Sequence, residues 1–322
     1  MINKSTFIHK KVSCTSSCKR LFKFISGRFS CIIALLMLLQ ASPTLAQQEQ
    51  QTELFCGAEL FYGDTNFTRL YNVRINATPG IKVHLGNDWL VAGQIQVPIV
   101  NDGYAKRYNM IRLSMANVAK ELHFKQTNQH LKITAGLFGQ ERYGGDVRWM
   151  WVANNWLMLQ ARAGLISHWA LGFDFDKNSE SEFENDWSTI GILGANVWLN
   201  PWNTEFRVSG GRYMNKDYGV EGEILRHFKH CTVSTFLQYH DKYYNNETSR
   251  TNHVAGGFRI VMMIPPYKKS NKKVVIRPAS NFRLTYNAQS NGYSMKKYST
   301  DPEENERTNA ISIPWGTGNF NE

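Results

Sequence analysis

Residues 68–77 read TRLYNVRINA, and this stretch shows the pattern that decides the fold. Its apolar side chains at every second position are Tyr71, Val73 and Ile75. The positions between them carry Asn72, Arg74 and Asn76. Successive side chains of a β-strand point to opposite faces of a sheet. The period of two therefore predicts a strand with one apolar and one polar face.

The same alternation recurs along the chain in segments of roughly ten residues. In residues 110–118, for example, it sets Ile111, Leu113 and Met115 against polar neighbours. Further candidate strands are 90–99, 131–139, 146–153, 156–165, 188–199, 204–212, 217–226, 232–240 and 254–264, with shorter ones at 81–85 and 121–125. No long segment clearly keeps the i, i+3, i+4, i+7 spacing of an amphipathic helix, so we expect an all-β chain.

Turn-forming residues separate these segments at 86–88, 101–103, 127–129, 144–145, 154–155, 200–203 and 215–217. Other connections, notably 174–186 and 241–252, are longer and more polar. Tryptophans at segment ends, such as Trp156 and Trp202, are typical of the aromatic belt of a membrane barrel. We expect an antiparallel up-and-down transmembrane β-barrel of about 12–14 strands. A soluble β-sandwich or lipocalin-like barrel is the alternative.

The N-terminus accounts for much of the charge of this 322-residue chain. The first 46 residues carry seven basic residues and no acidic one, followed by an apolar run at 31–39 and small residues near Ala46. This order predicts a signal peptide, residues 1–46, cleaved before Gln47. Without those seven charges the net charge of +11 falls to +4, so we expect no nucleic-acid partner. The mean hydropathy of −0.40 argues against a multi-helix membrane protein.

Four regions follow from these patterns. After the leader we expect an N-terminal segment or first strand at 47–67, the barrel at 68–265, and a polar C-terminal extension at 266–322. The extension contains one strand-like piece at 281–286 and otherwise reads as irregular. Two cysteines remain in the mature chain, Cys56 and Cys231, and either one disulfide or two unrelated thiols fits them.

Two stretches carry a family resemblance. Residues 136–148 read GLFGQERYGGDVR; the second stretch joins GRY at 211–213, DYGVE at 217–221 and LRHF at 225–228. Together with Gly257-Phe258 and Ile264-Pro265, they resemble the YjbH family of outer-membrane proteins, over roughly residues 90–265. The resemblance implies a role in exopolysaccharide and group 4 capsule production. This chain departs from the family in being much shorter, in lacking a clear lipobox and in its region after Pro265, and the resemblance supplies no catalytic residue.

The polar positions of the alternating strands predict which residues would line the lumen of such a barrel. The candidate lumen residues are Arg74, Arg112, Lys132, Asp146, Arg148, Arg162, Glu205, Arg207, Glu221, Glu223 and Arg259, with Lys82 and Lys125 as further cations. An excess of cations would attract an anionic glycan, and arginine binds carboxylates through two hydrogen bonds. The alternative is that these charges pair with one another and only make the barrel rigid.

The sequence therefore favours an outer-membrane β-barrel of a Gram-negative bacterium that assists export or surface assembly of an exopolysaccharide. Its expected partners are outer-membrane lipid, an anionic polysaccharide and periplasmic export proteins. A porin-type channel for small solutes and a lipid- or glycan-modifying enzyme are the alternatives. We recognise no catalytic motif, cofactor site or metal site; the acidic loop 174–185 departs from a calcium loop at Ser179 and Asn185.

Overall fold

A computed structural model describes most of the chain after residue 50. The described residues are 51–63, 72–102, 106–139, 141–173, 181–183, 186–214, 216–241, 253–266, 272–289 and 297–303. The predicted signal peptide and nearly all of the loop 174–185 lie outside them. Among the described residues, no helix is both long and apolar enough to cross a membrane.

Fifteen strands make up most of the described chain, which confirms the prediction of an all-β protein. They are β1 (Gln51–Gly63), β2 (Asn72–Leu85), β3 (Trp89–Asp102), β4 (Ile111–Phe124), β5 (Gln129–Phe138), β6 (Arg142–Val152), β7 (Leu157–Phe173), β8 (Ser181–Phe183), β9 (Ser188–Leu199), β10 (Thr204–Arg212), β11 (Tyr218–Phe228), β12 (Cys231–His240), β13 (His253–Met263), β14 (Val274–Pro278) and β15 (Asn281–Gln289). Two short 3-10 turns cover Lys106–Asn109 and Asn200–Trp202.

The strands form one sheet in which chain neighbours are almost always sheet neighbours. Its order is β14-β1-β2-β3-β4-β5-β6-β7-β9-β10-β11-β12-β13-β15, and β8 pairs with β7 outside this path. All pairings are antiparallel except β1 with β14, which is parallel. From β1 to β13 such a meander needs only hairpin connections, which agrees with the short turns between most strands, whereas β13 and β14 lie at opposite ends of this order.

Both ends of the meander pair with a single stretch of chain. β14 pairs with β1, and β15, which begins three residues later, pairs with β13. At the change of partner, the amide of Ala279 donates to the carbonyl of Cys56 (2.9 Å), and the amide of Ile264 donates to the carbonyl of Ser280 (2.9 Å). Residues 274–289 thus belong to the sheet: β15 contains the strand-like piece predicted at 281–286, whereas β14 was not predicted as a strand. β14 does not alternate in residue type: Val274, Val275 and Ile276 are consecutive between Lys273 and Arg277.

The two sides of the sheet differ in exposure and in chemistry. In β12 the exposed positions are Val233, Thr235, Leu237 and Tyr239, whereas Ser234, Phe236, Gln238 and His240 are buried. β10 and β11 repeat the arrangement, with Val208 and Val220 exposed and Glu205, Glu221 and Glu223 buried. The side that carries the buried residues, called the buried face below, therefore holds many charged groups, while large apolar side chains occupy the exposed face. This is the reverse of the usual arrangement in a water-soluble sheet.

Local irregularities correct three details of the predicted strands. The register between β3 and β4 shifts at Gln94/Ile95, so that Met115 lies buried beside the polar side chains instead of sharing the face of Leu113. Such a bulge adds one residue and reverses the alternation beyond it. Gly144-Gly145 lies inside β6, not in a turn, and the short segment 81–85 is the end of β2. Cys56 and Cys231 are both free thiols.

The adjacent glycines of β6 provide a test of this packing. Gly144 has a φ of +145°, and a Cβ built on it would overlap the carbonyl of Leu165 in β7, whereas a Cβ on Gly145 meets no atom. We expect Gly144→Ala to lower the free energy of unfolding by more than about 1 kcal/mol, because alanine disfavours that backbone conformation. Gly145→Ala, the matched control, should change it by less than about 0.5 kcal/mol. Urea unfolding of both variants measures the difference, and equal effects would contradict the β6–β7 pairing described here.

Candidate functional site: the buried face and the segment that crosses it

Residues 297–303 (KYSTDPE), called the inner segment below, lie against the buried face of the sheet. Side chains of three strands hold its backbone: Gln94 donates to the carbonyl of Pro302 (2.8 Å), Asn117 to that of Thr300 (3.0 Å) and Arg162 to that of Tyr298 (3.0 Å). The amide of Gly139, just after β5, donates to the carbonyl of Ser299 (2.9 Å). The inner segment is thus bound much as a peptide ligand would be, by groups far from it in sequence.

Tyr298 lies at the centre of the contact and satisfies a buried carboxylate. Its hydroxyl donates to Oδ2 of Asp146 (2.6 Å), a residue that is only 1% exposed. Arg162 Nε lies 2.7 Å from the same oxygen, and Arg148 Nε lies 3.1 Å from Oδ1. The guanidinium of Arg162 also lies 4.1 Å from the centre of the Tyr298 ring. One carboxylate therefore joins two strands and the inner segment.

An apolar pocket in the buried face receives the Tyr298 ring. The ring stacks on Phe138 with centroids 5.4 Å apart and packs with Ile166, Ile190 and Met214. Gly164 leaves room for the hydroxyl, since a Cβ at that position would overlap it. Burial in this pocket raises the pKa of the Tyr298 hydroxyl far above its usual value. The nearby charge of Asp146 adds to the effect.

The acidic end of the inner segment binds a cluster of cations from three strands. Lys82 Nζ lies 2.7 Å from Asp301 and 2.9 Å from Glu303. Arg277 contacts Glu303 through two nitrogens, at 2.7 and 3.0 Å, and Lys132 lies 3.9 Å from Asp301. The amide of Ser280 donates to Glu303 as well (2.7 Å). We call Lys82, Lys132 and Arg277 the basic triad.

Burial and the basic triad act in opposite directions on these two carboxyls. Burial alone would raise both pKa values, but the charge of Lys82, aided by that of Lys132, holds the pKa of Asp301 well below its usual range. The hydrogen bonds from Arg277 and the charge of Lys82 outweigh burial at Glu303 and lower its pKa to about 2. Both groups are therefore ionised at neutral pH, as ion pairing with the basic triad requires.

The basic end of the inner segment meets carboxylates of β11. Lys297 Nζ lies 2.8 Å from Glu221, whose second oxygen lies 3.5 Å from Arg259. Arg259 in turn lies 2.7 Å from Glu223. Burial lowers the pKa of the Lys297 ammonium and Arg259 adds to the lowering, while the charge of Glu221 opposes it. The inner segment therefore presents opposite charges at its two ends, and each end meets its complement.

A further network on β10 involves no residue of the inner segment. Glu205 binds Arg207 through both oxygens, at 2.7 and 2.9 Å. It also accepts from Asn196 (2.8 Å) and lies 3.0 Å from His227 Nε2. Such a bidentate pair with additional donors satisfies a buried carboxylate fully.

All eleven candidate lumen residues lie on the buried face. Buried among them are Arg74, Asp146, Arg148, Glu205, Glu221, Glu223 and Arg259, and partly exposed are Arg112, Lys132, Arg162 and Arg207. Lys125, by contrast, lies in the exposed turn after β4. Arg112 pairs with Glu141 (2.7 Å), and the guanidiniums of Arg74 and Arg112 lie 4.3 and 4.7 Å from the ring of Tyr108.

Sequence reasoning missed the carboxylates that balance these cations. They are Glu53, Glu121, Glu141, Asp301 and Glu303. Asp301 and Glu303 belong to a stretch without strand periodicity, so no local pattern directed them to the buried face. The only available signal was the complementarity between an acidic tail and an excess of inward cations. With them included, the buried face is a paired charge network and not a row of unmatched cations.

Comparisons with protein-family models, with curated proteins and with solved structures found no match to this chain. Within the described residues, no three His, Cys, Asp or Glu side chains are grouped so that they could hold a metal ion.

Asp146 allows the buried network to be tested against an exposed ion pair. We expect Asp146→Asn to lower the free energy of unfolding by about 3–5 kcal/mol, because the change leaves two guanidiniums without their shared carboxylate. Asp186→Asn is the matched control: Asp186 pairs with Lys216 at 2.8 Å but its side chain is 69% exposed, so we expect a change under about 1 kcal/mol. Urea unfolding measures both values. Similar losses would show that the Asp146 contacts do not organise the interior.

Proposed function

We propose that the sheet closes into a β-barrel of the bacterial outer membrane that assists export or surface assembly of an anionic polysaccharide. The observation that carries the proposal is the reversed polarity of the sheet. Large apolar side chains such as Leu193, Val208 and Leu237 are more than half exposed, while charged residues fill the opposite face. Lipid would cover the first face, and the second would line a polar lumen.

Closure of the barrel is supported by the pairing at the two ends of the meander. Residues 274–289 hydrogen-bond to β1 through β14 and to β13 through β15. In a membrane an unpaired strand edge would leave backbone groups without partners, so a single stretch that serves both edges has a clear physical advantage.

Orientation in the membrane follows from the lengths of the connections. The turns at 86–88, 125–128, 153–156, 200–203 and 229–230 all lie at one end of the strands. The connections at the other end include the longer stretches 64–71, 103–110, 174–187 and 241–252. Outer-membrane barrels have short periplasmic turns and longer extracellular loops. We therefore assign the first end to the periplasm and the second to the cell surface.

The polysaccharide assignment rests on two supports. One is the resemblance of residues 136–148 and 211–228 to the YjbH family, whose members are associated with exopolysaccharide and group 4 capsule. The other is the interior, where cations such as Lys82 and Arg277 bind carboxylates that could equally belong to an acidic sugar. The inner segment argues against a permanently open porin, since it occupies the face that would line the pore.

Leu193, in the middle of β9, tests the membrane assignment. It is 70% exposed, so in a water-soluble sheet Leu193→Arg should change the free energy of unfolding by less than about 0.5 kcal/mol. If Leu193 faces the bilayer midplane, the same substitution should lower the free energy of unfolding by about 2–4 kcal/mol. We expect the larger loss for protein refolded into phospholipid vesicles. Asn155→Arg, in an exposed short turn, is the matched control and should have little effect. Equal results for the two variants would favour a soluble sheet.

Deletion of the coding sequence in its native host tests the function itself. We expect loss of surface polysaccharide with unchanged uptake of small solutes, and restoration of the polysaccharide by the wild-type chain. Reduced uptake with normal surface polysaccharide would contradict the proposal and favour a porin-type channel.

A further inference from the structure

The cation cluster at the acidic end of the inner segment depends on that segment for its counterions. Both carboxylate partners of Lys82, Asp301 and Glu303, belong to the inner segment. The Lys82 side chain is only 11% exposed, and a buried ammonium without an anion is costly. Arg277 and Lys132 retain Glu53 and Glu121 in the sheet. Removal of the inner segment would thus leave a site that requires an anion.

The surroundings of the basic triad are suited to a sugar carboxylate. Arg277 presents two parallel donors to Glu303, the geometry that guanidinium adopts with any carboxylate. The ring of Phe55 lies 5.7 Å from Lys82 Nζ and 5.5 Å from the Arg277 guanidinium. An aromatic face beside carboxylate-binding donors can pack against the apolar face of a sugar ring while its carboxylate is bound.

The inner segment also follows the course that a linear polymer would take. It contacts Gly139, at one end of the strands, and reaches Arg277 and Ser280 near the other end. Along this course, side chains of β3, β4 and β7 donate hydrogen bonds to its backbone carbonyls. A chain of similar width that carries carboxylates could use the same donors.

We propose that the basic triad, with the amide of Ser280, is a binding site for the carboxylates of a polyuronate-type glycan, and that Asp301 and Glu303 occupy it as an intramolecular substitute. This inference rests on the proposed function, because it names the ligand class of the same interior. The glycan and the inner segment compete for one site, so the segment must leave the buried face before the glycan binds.

A reversible disulfide that ties the inner segment to the sheet, called the lock below, tests this competition in a single folded protein. A Cβ built on Gly139 lies 3.5 Å from the Cβ of Ser299, which suits a disulfide. We would prepare Gly139→Cys/Ser299→Cys in a Cys56→Ser/Cys231→Ser background, in detergent, and titrate it with oligogalacturonate by calorimetry. We expect binding to be at least about tenfold weaker in the oxidised than in the reduced protein, because the lock keeps the competing carboxylates in place.

Charge variants of the full chain identify the site. Asp301→Asn/Glu303→Gln should strengthen oligogalacturonate binding, and adding Lys82→Gln and Arg277→Gln should abolish the gain. Lys216→Gln, which alters an exposed ion pair elsewhere, is the matched control and should leave binding unchanged. Neutral dextran of similar length should not bind to any variant. The lock experiment does not depend on the folding of these charge variants.

Two results would overturn the inference: equal oligogalacturonate binding by the oxidised and reduced lock, or retention of binding after loss of Lys82 and Arg277. The deletion experiment separates this outcome from failure of the proposed function. If deletion abolishes surface polysaccharide but the protein does not bind oligogalacturonate, the proposed binding site is wrong and the proposed export function stands. If oligogalacturonate binding depends on the lock but deletion leaves surface polysaccharide normal, the proposed export function is wrong and the binding site stands.

Discussion

The structure depends on one electrostatic constraint: charges held on the buried face must find opposite charges there. Asp146 shows how it is met, since two arginines from neighbouring strands and the hydroxyl of Tyr298 share its two oxygens. Glu205 meets the same constraint with Arg207, and its other oxygen also lies within hydrogen-bond distance of His227 Nε2. Because a buried charge that loses its partner is destabilising by several kcal/mol, these pairs determine which strands and segments can lie together.

The inner segment extends this constraint to a part of the chain outside the sheet. Its lysine end meets Glu221 and its acidic end meets Lys82 and Arg277, so its direction across the buried face is set by charge. The Tyr298 ring adds shape, since it fills a pocket beside Phe138. The same groups that hold the segment are those proposed to bind an anionic polymer, so the proposal joins the stability of the protein to its function.

Local alternation predicted most strands well, and its errors have physical causes. The predicted segments 188–199 and 204–212 match β9 and β10 at both ends. Met115 was assigned to the wrong face because a bulge opposite Gln94 and Ile95 reverses the alternation, and no residue type marks such a bulge. Alternation does not predict β14, because its apolar residues Val274, Val275 and Ile276 are consecutive and flanked by basic ones. Its parallel pairing with β1 depends on contacts from a distant part of the chain.

The sequence by itself determined that the chain forms strands and, in most of them, which residues share the polar face, because both follow from a local period of two. It therefore placed Arg74, Asp146 and Arg259 together on one side. Only the tertiary structure decided the partners of those charges. Lys82 and Glu303 lie 221 residues apart in the sequence, and no local pattern relates them. Their pairing arises when the sheet brings distant charges into a region shielded from water, where each must be neutralised by its nearest neighbour.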